Sequence, residues 1–187
     1  MSNVYVGVDC SLRKPGLTVL TTDAVVYCGS LKTKSSGAAR LDAIAHYIAD
    51  RLSGHLVVAS AIEGPSLKSV HREFDLGEGS GAAKLALFRA SLGSAEPLSV
   101  PPLQLKLYAT GNAGADKADV IHWVKEAWGY DVGDDDDAAD SFALAHLARA
   151  LDLGPGKRRC EVQVVHDILH PGAAKPRVKH RRSKENI

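Results

Sequence analysis

The stretch Val4-Tyr5-Val6-Gly7-Val8-Asp9 is an apolar run that ends in a carboxylate, and it predicts a buried first strand with an acid at its end. Two further short strands are expected at 16–22 and 24–30, because β-branched residues fill both runs and turn residues bound them. Residues 41–52 place apolar side chains at helical spacing, and the apolar run 56–62 then predicts another buried strand. This order predicts an α/β sheet flanked by helices.

The second half of the chain continues with short strands and helices. Asp116 is a candidate N-cap for a helix that runs to Trp128, with Gly129 beyond its end. The remaining expectations are a loop or short mobile helix over 64–80, a helix over Gly81–Leu92, a short strand near 96–100, a short helix that Pro101-Pro102 opens and that runs through Tyr108, a core helix from Asp137 to Leu153, an extra strand over Cys160–Val165 and a disordered tail from Lys175.

Four carboxylates stand out from this pattern. Asp9 and Glu63 end the two buried strands, and Asp137 and Asp140 lie three residues apart at the start of the core helix. Both aspartates fall on the stripe that carries the core-facing leucines, so they point towards the sheet. Inward carboxylates are costly unless they are paired or bind a cation, and oxygen ligands suit magnesium or manganese. The four acids therefore predict a metal-dependent nuclease.

Each acid also has an ordinary explanation. Asp commonly serves turns, so Asp9 alone would be read as a turn residue, and Asp137 alone as an N-cap. The run 134–136 is most simply a solvated acidic loop. Asp140 is the hardest of the four to explain in this way, because it lies on the helix stripe that carries the core-facing leucines.

The composition is that of an ordinary globular protein, with 45% hydrophobic and 24% charged residues. The sequence has no apolar run of the length that spans a membrane, and its first strand begins too early to leave room for a signal peptide. Three widely spaced cysteines suggest neither disulfides nor a zinc site. We expect a cytoplasmic protein, at the nucleoid or in the host cytoplasm if a phage encodes it.

The net charge of +1 conceals an uneven distribution. Residues 156–187 hold nine Lys/Arg against three Asp/Glu, whereas the rest of the chain holds 14 basic and 19 acidic residues. An acidic body with a basic tail is compatible with metal chemistry beside a polyanion. Two explanations of the basic tail remain open. It is either a disordered terminus that increases solubility or a flexible arm that lies along DNA phosphates.

Several motifs, in order, resemble the RuvC family of Holliday junction resolvases. They cover residues 4 to about 150. The motifs are Val6-Gly7-Val8-Asp9 with Gly16, Ala61-Ile62-Glu63, Leu76-Gly77-Glu78-Gly79-Ser80-Gly81-Ala82, Leu105-Lys106 with 110–117 and Val120, and Asp137-Ala138-Ala139-Asp140. The resemblance implies an RNase H-like fold with a central mixed sheet, occupying 1–155, followed by an extension over 156–187.

The resemblance also implies a function. It implies an endonuclease that cuts four-way junctions by paired symmetric nicks, with other branched DNA as a further substrate. Such an enzyme would be a homodimer that uses neither a membrane nor a small-molecule cofactor. It would bind two magnesium ions per active site, and manganese would be able to replace them. Asp9, Glu63, Asp137 and Asp140 match the metal ligands, and Lys117 the further catalytic residue. Lys106 and Lys117 match the family's active-site lysines and are expected to contact DNA, as are Lys68 and Arg72. The basic tail is not part of the family core, and its expected DNA-contacting cations are Lys175, Arg177, Lys179, Arg181 and Arg182.

Some positions depart from the family pattern. Cys10-Ser11 stand where the family has Pro-Gly, and Ser66 stands where it has the aromatic residue that wedges between junction bases. Leu67, Val70 and Phe74 are the nearby candidates for that wedge. Two other functions remain open: a catalytically silent branched-DNA-binding module, and an actin-like or sugar-kinase-like ATPase fragment. The early glycine that such ATPases need for phosphate approach is missing after Asp9.

Overall fold

A computed structural model describes residues 1–64 and 73–172 of the chain. It has a five-stranded sheet in the order β3-β2-β1-β4-β5, flanked by helices, so the predicted α/β sheet is confirmed. The strands are β1 (Ser2–Asp9), β2 (Gly16–Leu20), β3 (Val25–Ser30), β4 (His55–Glu63) and β5 (Leu98–Val100). The helices are α1 (Gly37–Leu52), α2 (Glu73–Ala90), α3 (Pro102–Thr110), α4 (Lys117–Trp128), α5 (Asp136–Leu153) and α6 (Arg159–Leu169).

The sheet is mixed, and its direction determines which strand ends meet. Strands β1, β2 and β3 form an antiparallel meander, whereas β4 pairs parallel with β1, and β5 parallel with β4. Strands β1, β3, β4 and β5 therefore all end at one edge of the sheet. Asp9, Gly16 and Ser30 are partners in successive strands, which places the end of β3 in line with the end of β1.

Each face of the sheet has its own core. Side chains alternate along β1, so Val4, Val6 and Val8 pack with α1 and α2, whereas Tyr5 packs on the other face against α5. Helix α5 is covered by the sheet on one side and by α3, α4 and α6 on the other, and most of its residues are consequently buried. The acid-bearing helix is thus the central helix of the second core.

Two element predictions were wrong. The run Cys160–Val165 is helical, not a strand: its β-branched residues suggested a strand, but Glu161, Val164, Val165 and Ile168 recur at helical spacing and pack inwards. The long helix predicted to begin at Gly81 begins at Glu73 instead. Its glycine-rich first half is a poor intrinsic helix former, and packing of α2 against α1 and β4 overrides that propensity.

Other features of the chain agree with their predictions or lie outside the description. The N-cap at Asp116 is confirmed as a reciprocal capping box with Asp119, and Gly129 ends α4 with a left-handed backbone. The predicted disordered tail lies outside the described residues, and the division at 155/156 stays a prediction. Among the helices described, none has the length and apolar character needed to cross a membrane.

Candidate active site

Two neighbouring strands bring the first two acids to one edge of the sheet. Val8 of β1 pairs with Ile62 of β4 in parallel register, so the residues that follow, Asp9 and Glu63, end adjacent strands side by side. Asp9 is only 5% exposed. A buried carboxyl beside a second carboxyl requires either a proton or a cation.

Two glycines bring the other two acids to the same place. A Cβ on Gly7 would lie 2.0 Å from the Ser141 carbonyl oxygen, and a Cβ on Gly16 would lie 2.0 Å from that of Asp137. Helix α5 therefore rests directly on the backbone of β1 and β2 beside Asp9. Because Asp137 and Asp140 occupy the first turns of this helix, the Asp137 carboxyl lies beside that of Asp9, and the Asp140 carboxyl is close enough to Glu63 for their charges to interact. The structure thus brings the four sequence-predicted acids together.

The pKa values in this cluster are raised. Burial is the main cause for Asp9, and the Glu63 charge and the hydrogen bonds with Glu63 and Asp137 also raise its pKa well above the usual range. Burial and the Glu63 charge raise the pKa of Asp140 to about 7. Burial and the neighbouring negative charges therefore both disfavour the ionised form of these carboxyls. The set is all oxygen and crowded with negative charge, so it fits a hard divalent cation.

The run Asp134 to Asp136 is not simply a solvated loop, which corrects the prediction made for it. Asp135 is the N-cap of α5 and accepts hydrogen bonds from Ala138 N (3.0 Å), Ser30 Oγ (2.6 Å) and Lys14 Nζ (2.8 Å). Asp136 forms an ion pair with Lys117. These partners keep the pKa of both carboxyls below the usual value despite their partial burial.

Asp135, Asp136 and Asp137 have carboxylate oxygens within 4.8 Å of one another, and among the described residues they are the one group of three or more acids with this spacing. This group shares only Asp137 with the predicted set. Since Asp135 and Asp136 already accept from Lys14 and Lys117, the set of Asp9, Glu63, Asp137 and Asp140 is the better cation site.

The sequence analysis missed Lys14, whose Nζ lies 2.8 Å from Asp135 and 3.7 Å from Asp137. Hydrogen bonding to Asp135 is the main cause that raises the pKa of this lysine. The lysine holds the β1–β2 turn against the acidic start of α5. Its turn signal, Lys14-Pro15-Gly16, is visible in the sequence, but the loop-to-helix ion pair is not.

The predicted active-site lysines differ in position. Lys117 begins α4, and besides its ion pair with Asp136 it lies close enough to Asp137 and Asp140 for their charges to raise its pKa. Lys106 instead donates from Nζ to the Ala115 carbonyl at 2.6 Å, which ties α3 to the turn before α4. Its contact with DNA stays a prediction.

Most of the residues predicted to form the wedge or to contact DNA lie outside the described part of the chain. Phe74, one candidate wedge, is described and is 92% exposed in the first turn of α2. The remaining candidates lie outside the described residues: Leu67 and Val70 for the wedge, and Lys68, Arg72, Lys175, Arg177, Lys179, Arg181 and Arg182 for DNA contacts.

An antiparallel meander, two parallel strands and an acidic centre between the ends of β1 and β4 and the start of α5 define an RNase H-like nuclease. The family model described as "Crossover junction endodeoxyribonuclease RuvC" matches residues 5–147. The chain belongs to this family, and the predicted enzyme class, an endodeoxyribonuclease of the RuvC type, is confirmed. The family consists of metal-dependent nucleases, in keeping with the acidic cluster.

Solved structures support the fold. A structure described as Thermus thermophilus RuvC matches with a TM-score of 0.61 and 19% identity, over 92% of this chain and 99% of that chain. A second, described as T. thermophilus RuvC in complex with Holliday junction substrate, has a TM-score of 0.63 and 22% identity, over 81% of this chain and 96% of that chain. No curated protein sequence matches the chain significantly.

Proposed function

We propose that this protein is a magnesium-dependent endonuclease that cuts four-way DNA junctions by paired symmetric nicks. The observation that carries the proposal is the convergence of Asp9, Glu63, Asp137 and Asp140, with pKa values raised at Asp9 and Asp140, on an RNase H-like sheet. Branched DNA as the substrate rests on family membership and on the T. thermophilus relative, whose structure is described with a Holliday junction substrate.

The four carboxylates would hold the metal, two magnesium ions per site in our proposal, with manganese able to replace them. When bound, such ions supply Lewis-acid stabilisation of the attacking and leaving oxygens of a phosphodiester. The carboxylates must lose their protons to act as ligands. Hydrolysis adds a water oxygen to phosphorus and breaks the bond to the 3′ oxygen, leaving a 5′-phosphate and a 3′-hydroxyl.

We infer that Lys117 assists this chemistry. Its side chain is largely exposed, it begins α4, and it is held at the acidic centre by Asp136. An incoming phosphate offers the ammonium a second anionic partner, so Lys117 would neutralise charge on the scissile or the neighbouring phosphate. Asp136 would keep the lysine in place before DNA arrives.

The test is cleavage of a labelled four-way junction, with and without magnesium, by single amide variants of the four acids. Asp140→Asn should lower the cleavage rate by about a thousandfold or more, because a lost ligand removes several kcal/mol of transition-state stabilisation. Junction binding should be largely retained, since phosphate contacts elsewhere hold the DNA. Asp134→Asn is the matched control, because Asp134 is an exposed acid of the same run.

Two results would count against the proposal. Wild-type cleavage by any one amide variant would remove that residue from the site. Tight junction binding by the wild-type protein with no magnesium-dependent cutting would instead favour a catalytically silent DNA-binding module.

A further inference from the structure

A second site lies at the same edge of the sheet as the acids, on the side of α1 and α2. A pocket of about 710 Å³ opens between the loop after β1, the loop after β3 and the first turns of the two helices. The loops are tied together by two backbone hydrogen bonds, from Leu31 N to Pro15 O (3.0 Å) and from Thr33 N to Arg13 O (3.1 Å). The pocket is therefore formed by two loops that are hydrogen-bonded to each other and by two helix starts, and its lining begins two residues after Asp9.

The most informative residue in the pocket is Arg40, in the first turns of α1. It is only 8% exposed, and its buried Nε has no hydrogen-bond partner among the residues the structure describes. Its ion pair with Asp75 is long, at 3.4 Å from Nη2 to Oδ1, and the Asp75 side chain is 57% exposed. A buried guanidinium with five donors is costly unless anionic partners satisfy it, and among the described residues this one is incompletely paired.

The rest of the pocket favours an anion as well. Arg13, Lys34 and Arg40 line it against the single carboxylate of Asp75, and hydroxyl groups from Ser11, Thr33, Ser35 and Ser36 add donors. Ser36 is the N-cap of α1, yet its side chain makes no capping hydrogen bond, and the first turn contains no acid. The amide groups at this helix start are thus available to an anion, which the helix dipole also favours.

We propose that this pocket is a phosphate subsite, in which Arg40 holds a non-scissile backbone phosphate of the bound DNA strand. The inference rests on the proposed function, which places the strand to be cut at the acidic centre along the same edge. Arginine suits this task, because its planar fork matches two phosphate oxygens. The volume exceeds what a lone phosphate needs and accommodates the adjoining sugars of a continuous strand.

The test is a phosphate-neutralisation scan of the junction. Each phosphate of the cut strand is replaced in turn by a neutral methylphosphonate, and binding is measured in EDTA, so that no strand is cut. In the wild type, one non-scissile position should weaken binding by about tenfold, the effect of losing a charge-assisted contact. The Arg40→Gln variant should bind every junction more weakly than the wild type does. Methylphosphonate replacement at the sensitive position should not weaken its binding any further.

Lys34→Gln tests the subsite without disturbing a buried group, because Lys34 is exposed on the loop after β3. It should reduce the sensitivity to the same position by several-fold. The matched control is Lys32→Gln, another exposed lysine of that loop that does not line the pocket, and it should keep the full wild-type sensitivity. Thermal unfolding shows whether each variant is folded, and Lys34→Gln decides the matter if Arg40→Gln is not.

A free anion is the competing ligand for the same chemistry. If inorganic phosphate raises the melting temperature of the wild type but not of Lys34→Gln, while the scan reveals no sensitive position, the pocket binds small anions and the DNA assignment is overturned. The DNA assignment would also be overturned if methylphosphonate replacement weakened binding equally in the wild type and in both pocket variants at every phosphate position. A wild-type protein that does not cut junctions, but whose binding still depends on one phosphate position through Arg40, would refute the proposed function and leave the subsite standing.

Discussion

At the scale of single residues, His146 shows how burial fixes a protonation state. The ring of His146 lies in α5 with centroids 4.5 Å from Trp128 and 4.8 Å from Phe142. Arg149 Nη2 contacts its Nδ1 at 3.0 Å, and since a guanidinium can only donate, Nδ1 must accept. Burial, followed by the charges of Arg149 and Arg158, lowers the pKa of His146 to about 3. The folded protein therefore keeps this ring neutral.

This shift predicts acid sensitivity of the fold. The unfolded chain takes up a proton on His146 below its ordinary value of 6.5, whereas the folded chain does so only near 3. The contribution of the neutral His146 ring to the free energy of unfolding is fully present above pH 6.5. It is lost as the pH falls towards 3, by up to about 1.4 kcal/mol per pH unit. His146→Gln should flatten the dependence of the unfolding free energy on pH in this window, measured by urea denaturation.

The control for that experiment is His122→Gln, because His122 is an exposed histidine on α4. It should leave the slope unchanged. Parallel profiles for the wild type and His146→Gln would contradict the assignment, whatever the absolute stability of the variant.

At the scale of elements, the contact between α5 and the sheet governs the site. Gly7→Ala places a Cβ 2.0 Å from Ser141 O and 2.3 Å from Ala145 N, and neither backbone atom can move unless the helix moves. We expect a loss of about 2–3 kcal/mol or more in the free energy of unfolding. Junction cleavage should fall as well, because the displaced helix carries Asp137 and Asp140. Chemical denaturation and the cleavage assay measure the two effects.

Gly77→Ala is the control for this prediction. A Cβ at Gly77 in α2 would meet nothing within 4 Å, and alanine is the better helix former, so stability should be unchanged or should rise by up to about 1 kcal/mol. Wild-type stability and cleavage in Gly7→Ala would show that α5 can be displaced without consequence.

The elements also show where prediction from sequence succeeds and where it stops. Strands β1 and β4 and helix α5 were predictable because each buries a regular apolar pattern, and the acids at their ends followed from the parallel order. Helix α6 was not, because its valines suit a strand as well as a helix. The ion pair between Lys14 and Asp135 was not either, since it joins residues 121 positions apart through a loop approach that no local pattern encodes.

At the scale of the whole molecule, α2 presents a surface suited to a second copy of the chain. Its outward side carries Leu85, 49% exposed, together with Gly81 and Arg89, one turn to either side of it. A groove of about 770 Å³ runs between α1 and α2 along this surface. Symmetric cutting of two strands requires two active sites, so we propose a homodimer formed through α2.

Sedimentation at micromolar concentration tests the dimer. Leu85→Glu should raise the dimer dissociation constant by at least about tenfold, because it buries a charge in an apolar contact. Leu103→Glu is the control, an exposed leucine (66%) on α3, and should not change it. A monomer that still makes paired cuts would contradict this model, as would a Leu85→Glu protein that remains fully dimeric.

The separation of the four acids along the chain bears on synthesis at the ribosome. Asp9 and Glu63 lie within the first 63 residues of the chain, whereas α5, which supplies Asp137 and Asp140 and covers one face of the sheet, begins only at Asp136. A nascent chain that ends before α5 has half of the acids and leaves one apolar face of the sheet uncovered, and exposed apolar surface of this kind favours aggregation of folding intermediates. Such a chain also carries no complete centre. Under the proposed function, a truncated translation product therefore cannot nick DNA.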